Sequence, residues 1–380
     1  MMLPEKFLIK FVQWDYFLRN LVLWMFRSCL FYRFSLDVKI RKLLIFRTGS
    51  IGDSICSLPA IDTIRKNFPE AEIHLLTNAG SKNYVSINKL IDPTVINKIV
   101  DYSDIKRSHL FKLLKKEKYD LFIELPQVDT PLFRAIRNML VAKFLKVKYA
   151  FGWKICVTYF LPKIQEKYFH FENETIRLLN ILKTYGLQTE NPTYILGIGK
   201  EDKVYVKDLI TKLTIEDKSK NIGIAIGAKF PRNRWKLDYY REISNYLVKQ
   251  NFSIVYFGSS EDFENCESIK PAKGTFNLCG KLAPLQSMEL MKNCSLIITN
   301  DSGPLHMAYS VNANVLSIFS CREYKGKWYP PENDINKVIR QDTFKCSICV
   351  KKACENNLCM QQIVPEIVIK EINNILKINI

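Results

Sequence analysis

The stretch SLIITNDSGPLHMA, residues 295–308, passes from an apolar run straight into acceptor-rich residues, a Gly-Pro pair and a histidine. The first five residues have the composition of a buried strand, and the spacing after them predicts a helix over 304–311. Asp301 or Ser302 would cap that helix, and Pro304 falls in its first turn, where a missing N–H costs nothing. Gly303 keeps the entrance clear. A helix entered this way turns unbonded backbone N–H groups and the positive end of its dipole toward an anion, and a diphosphate suits it. His306 could donate to a phosphate or a sugar hydroxyl; on residue type, a buried structural histidine fits almost as well.

Working outward, the same alternation of apolar strand and amphipathic helix fills the chain. Strands are expected at LLIF (43–46), EIHLL (72–76) and DLFIEL (120–125), with a helix over 54–67. A second series follows the linker-like GLQTENPTY (186–194): NIGIAI (221–226), FSIVYF (252–257), SLIIT (295–299) and NVLSIF (314–319), with helices near 238–250 and 285–292. Strand–helix alternation with short loops implies parallel sheets covered on both faces. The fold class is therefore α/β, with two facing doubly wound Rossmann-like domains and an interdomain cleft at the carboxyl ends of the strands. The divisions expected are an aromatic and basic amphipathic segment (1–40), a first domain (41–187), a second domain (188–363) and a C-terminal helix (364–380) that can pack back on the first domain.

At 380 residues the chain exceeds one ordinary core. Lys and Arg outnumber Asp and Glu by 56 to 38, which points to an anionic partner. Neither an RNA-binding aromatic signature nor a zinc-finger array is present, so nucleic acid is not expected among the partners. No Gly-x-Gly-x-x-Gly follows either leading strand, which disfavours an oxidoreductase.

Three further loops carry chemistry. In RTGSIGDS (47–54), Gly49 and Gly52 allow a tight turn close to a ligand. Asp53, in the first turn of a helix, is open to two readings: a cap, or a carboxylate at the floor of the cleft that accepts a proton from an attacking hydroxyl. GAKFPRNRW (227–235) gathers Gly227, Lys229, Arg232 and Arg234 on a short loop suited to phosphate oxygens or simply to solvent. In FGSSEDFEN (257–265), Gly258 ends a strand and Glu261 could hold a ribose hydroxyl pair or favour the helix dipole. Arg134 and Arg137, in PQVDTPLFRAIRN (126–138), could meet acceptor phosphates or stand as exposed helix charges.

From Lys42 to about Gln362 these motifs together resemble glycosyltransferase family 9, the heptosyltransferases of the lipopolysaccharide inner core. The resemblance rests on GSIGD, IGAKF...RW, NLCGKLAPLQSMELM (277–291) and above all TNDSGPLHMA. It implies a GT-B fold and an inverting, metal-independent transfer, typically from ADP-heptose to a lipid-anchored glycan acceptor. No cofactor is then required for catalysis. By motif match Asp53 is similar to the family's general base, Asp301, Ser302, Gly303 and His306 to its donor-binding turn, and Glu261 to its ribose contact. Asn233 and Lys236 stand where relatives often carry lysine and proline. Alternatives within reach of the same residues are a same-fold enzyme with another donor sugar and a non-catalytic nucleotide-sugar or membrane-surface binding protein.

Residues 1–40 have no counterpart in that resemblance. Their aromatic residues are interrupted by Lys10, Asp15, Arg19 and Arg27, too often to span a bilayer. Two readings remain, an interfacial helix on an anionic membrane surface or an ordinary helix packed on the first domain. The expected location is cytoplasmic, peripheral on the inner face of the inner membrane. Eleven cysteines are unevenly spread. Four of them, Cys346, Cys349, Cys354 and Cys359, are spaced as a structural zinc clip would be, with reduced thiols or disulfides as the competing readings.

Overall fold

The computed structural model describes residues 4–78, 85–157, 161–332, 336–342, 354 and 357–378. They form two compact units, residues 1–197 and 198–380.

The first unit runs α1 (Glu5–Leu30), β1 (Lys42–Phe46), α2 (Ile51–Asn67), β2 (Glu72–Thr77), β3 (Lys98–Asp101), α3 (Arg107–Lys116), β4 (Leu121–Glu124), α4 (Leu132–Phe144), β5 (Tyr149–Phe151), α5 (Pro162–Tyr168) and α6 (Glu174–Lys183). Its sheet is parallel, in the order β3-β2-β1-β4-β5. Alternate side chains feed opposite faces. Leu43, Ile45, Ile73 and Ile123 pack with Leu58 and Ile61 of α2 and Leu178 of α6. Leu44, Phe122 and Ala150 pack on the other side with Leu23 of α1, Leu114 of α3 and Met139 of α4. With both faces covered, the central strands are largely apolar, with His74 of β2 and Glu124 at the end of β4 as buried exceptions.

The second unit runs α7 (Lys200–Leu213), β6 (Asn221–Ala225), α8 (Leu237–Lys249), β7 (Ser253–Tyr256), α9 (Phe263–Ile269), β8 (Thr275–Asn277), α10 (Pro284–Met291), β9 (Leu296–Asn300), α11 (Gly303–Ser310), β10 (Val315–Phe319), β11 (Asn336–Arg340), α12 (Leu358–Gln361) and α13 (Pro365–Leu376). Its parallel sheet has the order β11-β10-β9-β6-β7-β8, the Rossmann arrangement with the reversal at β6/β9.

Three divisions differ from those the sequence suggests. The first unit ends ten residues later, because Tyr194, Ile195 and Leu196 pack on its core and Gly197 N–H bonds to Leu90 O at 2.8 Å. The segment 1–40 is part of the first unit, with α1 lying against α4 and α5. The last helix, α13, packs on α8 of its own unit instead of the first: Val368 and Ile372 are fully buried beside Tyr240, Ile243 and Leu247.

Candidate active site

In both units the chemistry-bearing loops follow the carboxyl ends of central strands, where sheets of this order bind ligands. Between β1 and α2, Gly49 adopts φ +142°, and a Cβ there would lie 2.4 Å from that of Asp53. Only glycine fits. Ser50 caps α2 in extended conformation, and Oδ2 of Asp53 accepts from Ser50 N–H at 2.9 Å and Ser50 Oγ–H at 3.0 Å. Asp53 is therefore not the N-cap itself but the third helical residue, closing the capping box with its carboxylate while remaining partly exposed. Gly52 is buried one residue before it.

Behind Asp53 is a buried ionic cluster that residue patterns alone do not reveal. Arg47 donates to Asp53 O at 2.9 Å and to Glu174 Oε1 at 3.2 Å, and lies 3.7 Å from Asp53 Oδ1. Its other nitrogen reaches the carbonyls of Leu125 and Pro126, both at 3.2 Å. Arg177 binds Glu174 through both carboxylate oxygens, at 2.6 and 2.8 Å, and also donates to Pro126 O. Two guanidinium groups therefore face two carboxylates, so the buried Glu174 is paired on both sides and Arg47 bridges it to the partly exposed Asp53.

Arg134 and Arg137 are exposed near the start of α4, at the same end of the sheet. Arg137 donates to Asn138 Oδ1 at 3.1 Å, and Asn138 donates to Glu124 Oε1 at 3.0 Å. Glu124 ends β4 fully inside the fold. Burial pushes its carboxyl up to about 8, against the pull of Asn138, Trp153, Arg137 and Arg134.

The second unit repeats the cap geometry. Gly258-Ser259-Ser260-Glu261-Asp262 matches Gly49-Ser50-Ile51-Gly52-Asp53: Asp262 Oδ2 accepts from Ser259 N–H at 2.9 Å and Ser259 Oγ–H at 2.8 Å. A Cβ on Gly258 would lie 2.9 Å from that carboxylate, and one on Gly227 2.6 Å. Asp262 is buried and supports the turn as a first-turn carboxylate; Glu261 beside it is exposed.

The basic loop after β6 is stapled to the TNDSG turn by two asparagines. Asn300 donates to Ile226 O at 2.7 Å and accepts from Trp235 N–H at 3.2 Å. Asn233 is buried: it donates to Asp301 O and Oδ2 at 3.1 and 3.0 Å and accepts from Ser320 Oγ–H at 2.8 Å. Arg234 donates Nε–H to Ala228 O at 2.9 Å, closing the loop on itself, while Lys229 is exposed and Arg232 half-buried.

Ser302 is the extended N-cap of α11, which starts at Gly303 with Pro304 following, as the residues predict. Burial and the nearby Glu323 push Asp301 up to about 7, with Arg322 and Lys327 opposing. These three charges, in CREYKGKW after β10, were missed; their place at a strand's carboxyl end was the available signal. Lys327 pairs with Glu323 at 2.8 Å, and Arg322 lies 3.6 Å over the Phe230 ring. His306 takes the buried place: it is 4% exposed, with Nδ1 2.8 Å from Tyr309 Oη and its ring edge-on to Trp328.

Of the cysteine cluster, Cys346 and Cys349 lie outside the described residues. Cys354 is half-buried, and Cys359 is buried, its Sγ accepting from Cys321 N–H at 3.4 Å. Among the described residues the only group spaced for a metal is Glu72, His74 and Glu117, where Lys42 and Lys98 already pair with the carboxylates at 2.6–2.9 Å.

Two Rossmann-like units in one chain, each with a Gly-Ser-x-x-Asp turn at a strand's carboxyl end and the second with a basic loop fixed to a helix start, define a GT-B glycosyltransferase fold. The chain resembles the solved E. coli ADP-heptose lipopolysaccharide heptosyltransferase II (21% identity, TM-score 0.62, 88% of this chain and 98% of that one). It also resembles a family 9 glycosyl transferase from Veillonella parvula (17% identity, TM-score 0.70, 91% and 99%). In sequence it is 24% identical to lipopolysaccharide heptosyltransferase 2 of E. coli K12 (88% of this chain, 98% of the relative). The corresponding lipooligosaccharide heptosyltransferase 2 of Campylobacter jejuni serotype O:2 is 26% identical (88% and 98%). Residues 107–360 match glycosyltransferase family 9 (heptosyltransferase), and the chain belongs to that family.

Proposed function

We propose that this protein transfers a heptose from ADP-heptose to a lipopolysaccharide-core or related lipid-linked glycan acceptor, with inversion and with no metal in the catalytic step. The acceptor hydroxyl oxygen bonds to the anomeric carbon as the bond to the diphosphate breaks. The hydroxyl proton passes to Asp53, and ADP leaves. A capping carboxylate is a modest base, but the hydroxyl acidifies as its new bond forms, so modest basicity suffices. The leaving charge falls to the α11 N-terminus at Gly303 and Ser302, whose backbone donors are fixed by the fold, and to the side chains of Lys229, Arg232 and Arg234. Glu261 is assigned to the ribose, and Arg134 and Arg137 to acceptor phosphates. The relatives' names support the donor and acceptor classes. The observation that carries the reading is Asp53: one carboxylate oxygen committed to Ser50 and the other backed by Arg47.

Asn in place of Asp53 keeps an oxygen for both Ser50 bonds, so Asp53→Asn should fold normally and bind donor. Its turnover should fall about a hundredfold to ten-thousandfold, and turnover near that of the parent would remove Asp53 from the chemistry. A thermal-shift panel of nucleotide diphosphate sugars tests the donor. ADP-heptose should stabilise the chain selectively, by about 2.7 kcal/mol at a hundred times its Kd; a preference for another sugar nucleotide would reassign the donor. The cysteines at 346, 349, 354 and 359 belong to the same proposal as a structural zinc clip, supported by spacing and by the buried Cys359. Stoichiometric zinc after purification without chelator is expected; a zinc content near zero would dismiss the clip.

A further inference from the structure

α1 is docked through a side that mixes hydrogen-bonding and apolar residues. Tyr16 Oη donates to Gln165 Oε1 at 2.6 Å, Asn20 exchanges two bonds with the backbone of Ile155 at 3.1 and 3.0 Å, and Arg27 donates to Ala150 O at 3.0 Å. Val12 and Leu23 complete the contact as the helix's only buried residues. The outward side is apolar as well. Phe7, Phe11, Trp14, Leu18 and Met25 recur at helical spacing, flanked by Phe17 and Trp24, and both tryptophans are 61% exposed. Water is a poor neighbour for such a face.

The surface continues beyond the helix. α4, packed against α1, adds Phe133, Leu140, Val141 and Phe144, all exposed. Its charges are of one effective sign. The acidic residues of α1 are already paired, Glu5 with Lys167 at 2.8 Å and Asp15 with Arg19 at 2.8 Å, whereas Lys6, Lys10, Lys143, Lys146 and Lys148 are exposed around the patch. At 100° per residue the seven side chains of α1 spread over roughly 140° of the helix, wider than the seam a helical dimer needs. No described helix is long and apolar enough to cross a membrane.

We propose that α1 and α4 form a membrane-docking surface, with α1 lying in the plane of an anionic bilayer. Trp14, Phe17 and Trp24 enter the boundary between headgroups and acyl chains, and the lysines meet lipid phosphate. This inference concerns where the enzyme sits and stands whichever sugar it transfers.

The test uses the full chain with vesicles of phosphatidylcholine, with and without phosphatidylglycerol. Binding to the anionic vesicles is expected, with tryptophan fluorescence quenched by brominated acyl chains. The triple variant Trp14→Gln, Phe17→Gln, Trp24→Gln should bind at least about tenfold more weakly. Its circular dichroism, melting and transfer to a water-soluble acceptor fragment should be unchanged. Lys6→Gln with Lys10→Gln should weaken binding to anionic vesicles. The proposal is overturned if the parent ignores both vesicles, if the triple variant binds as the parent does, or if the parent is a dimer that the triple variant disperses and neither binds lipid.

Discussion

Glu124 ends a strand with a carboxyl that has almost no water to ionise into, and its folded value of about 8 lies well above the ordinary 4.5. The folded chain therefore holds that proton more tightly than the unfolded one does. The contribution to stability is full below about 4.5, falls as pH rises toward about 8, and levels off beyond. Glu124→Gln should flatten this fall, read as a smaller difference between denaturant midpoints at pH 5 and pH 8 than in the parent; an unchanged difference would assign the slope elsewhere. Asp301, raised to about 7, adds a slope of the same sign and makes the comparison with the parent necessary. The sequence showed Glu124 only as the last polar letter of an apolar run. It showed Arg47 inside a glycine-rich loop but not its buried carboxylate partner, since Glu174 arrives from 127 positions away through the fold. The positions of Asp53 and Gly303 at helix starts, by contrast, were legible because they are set by immediate neighbours, a glycine and a proline.

At the level of elements, every strand the residues announced is central in its sheet. The four that went unnoticed, β3, β5, β8 and β11, are the four edges. An edge strand has one bonded neighbour and a partly wet face, so KIVD and NKVIR carry no continuous apolar run to find. The last helix shows the converse. Its amphipathic pattern was plain, but pattern alone names no partner, and α8 receives it. Ile372→Ala should cost about 2–5 kcal/mol in unfolding free energy as a cavity opens against α8. A loss within about 0.5 kcal/mol, as at a surface position, would mean that α13 is not docked there.

For the molecule as a whole, each unit has its own core, and the two-domain plan was readable from strand–helix alternation repeated twice. The boundary was less so, because the linker-like GLQTENPTY ends in Tyr194, which packs on the first core, and runs on into Leu196, which bridges to Ile91. Separate cores predict two calorimetric transitions. ADP-heptose should raise the one belonging to residues 198–380 and leave the other near its starting temperature; an equal rise in both would show that the units unfold as one.

The paired Gly-Ser-x-x-Asp turns give this enzyme a built-in experimental reference. Asp53→Asn and Asp262→Asn make the same isosteric change at matching helix starts. Whatever defect they share measures the disturbance of a turn, and only the surplus at Asp53 can be credited to proton transfer.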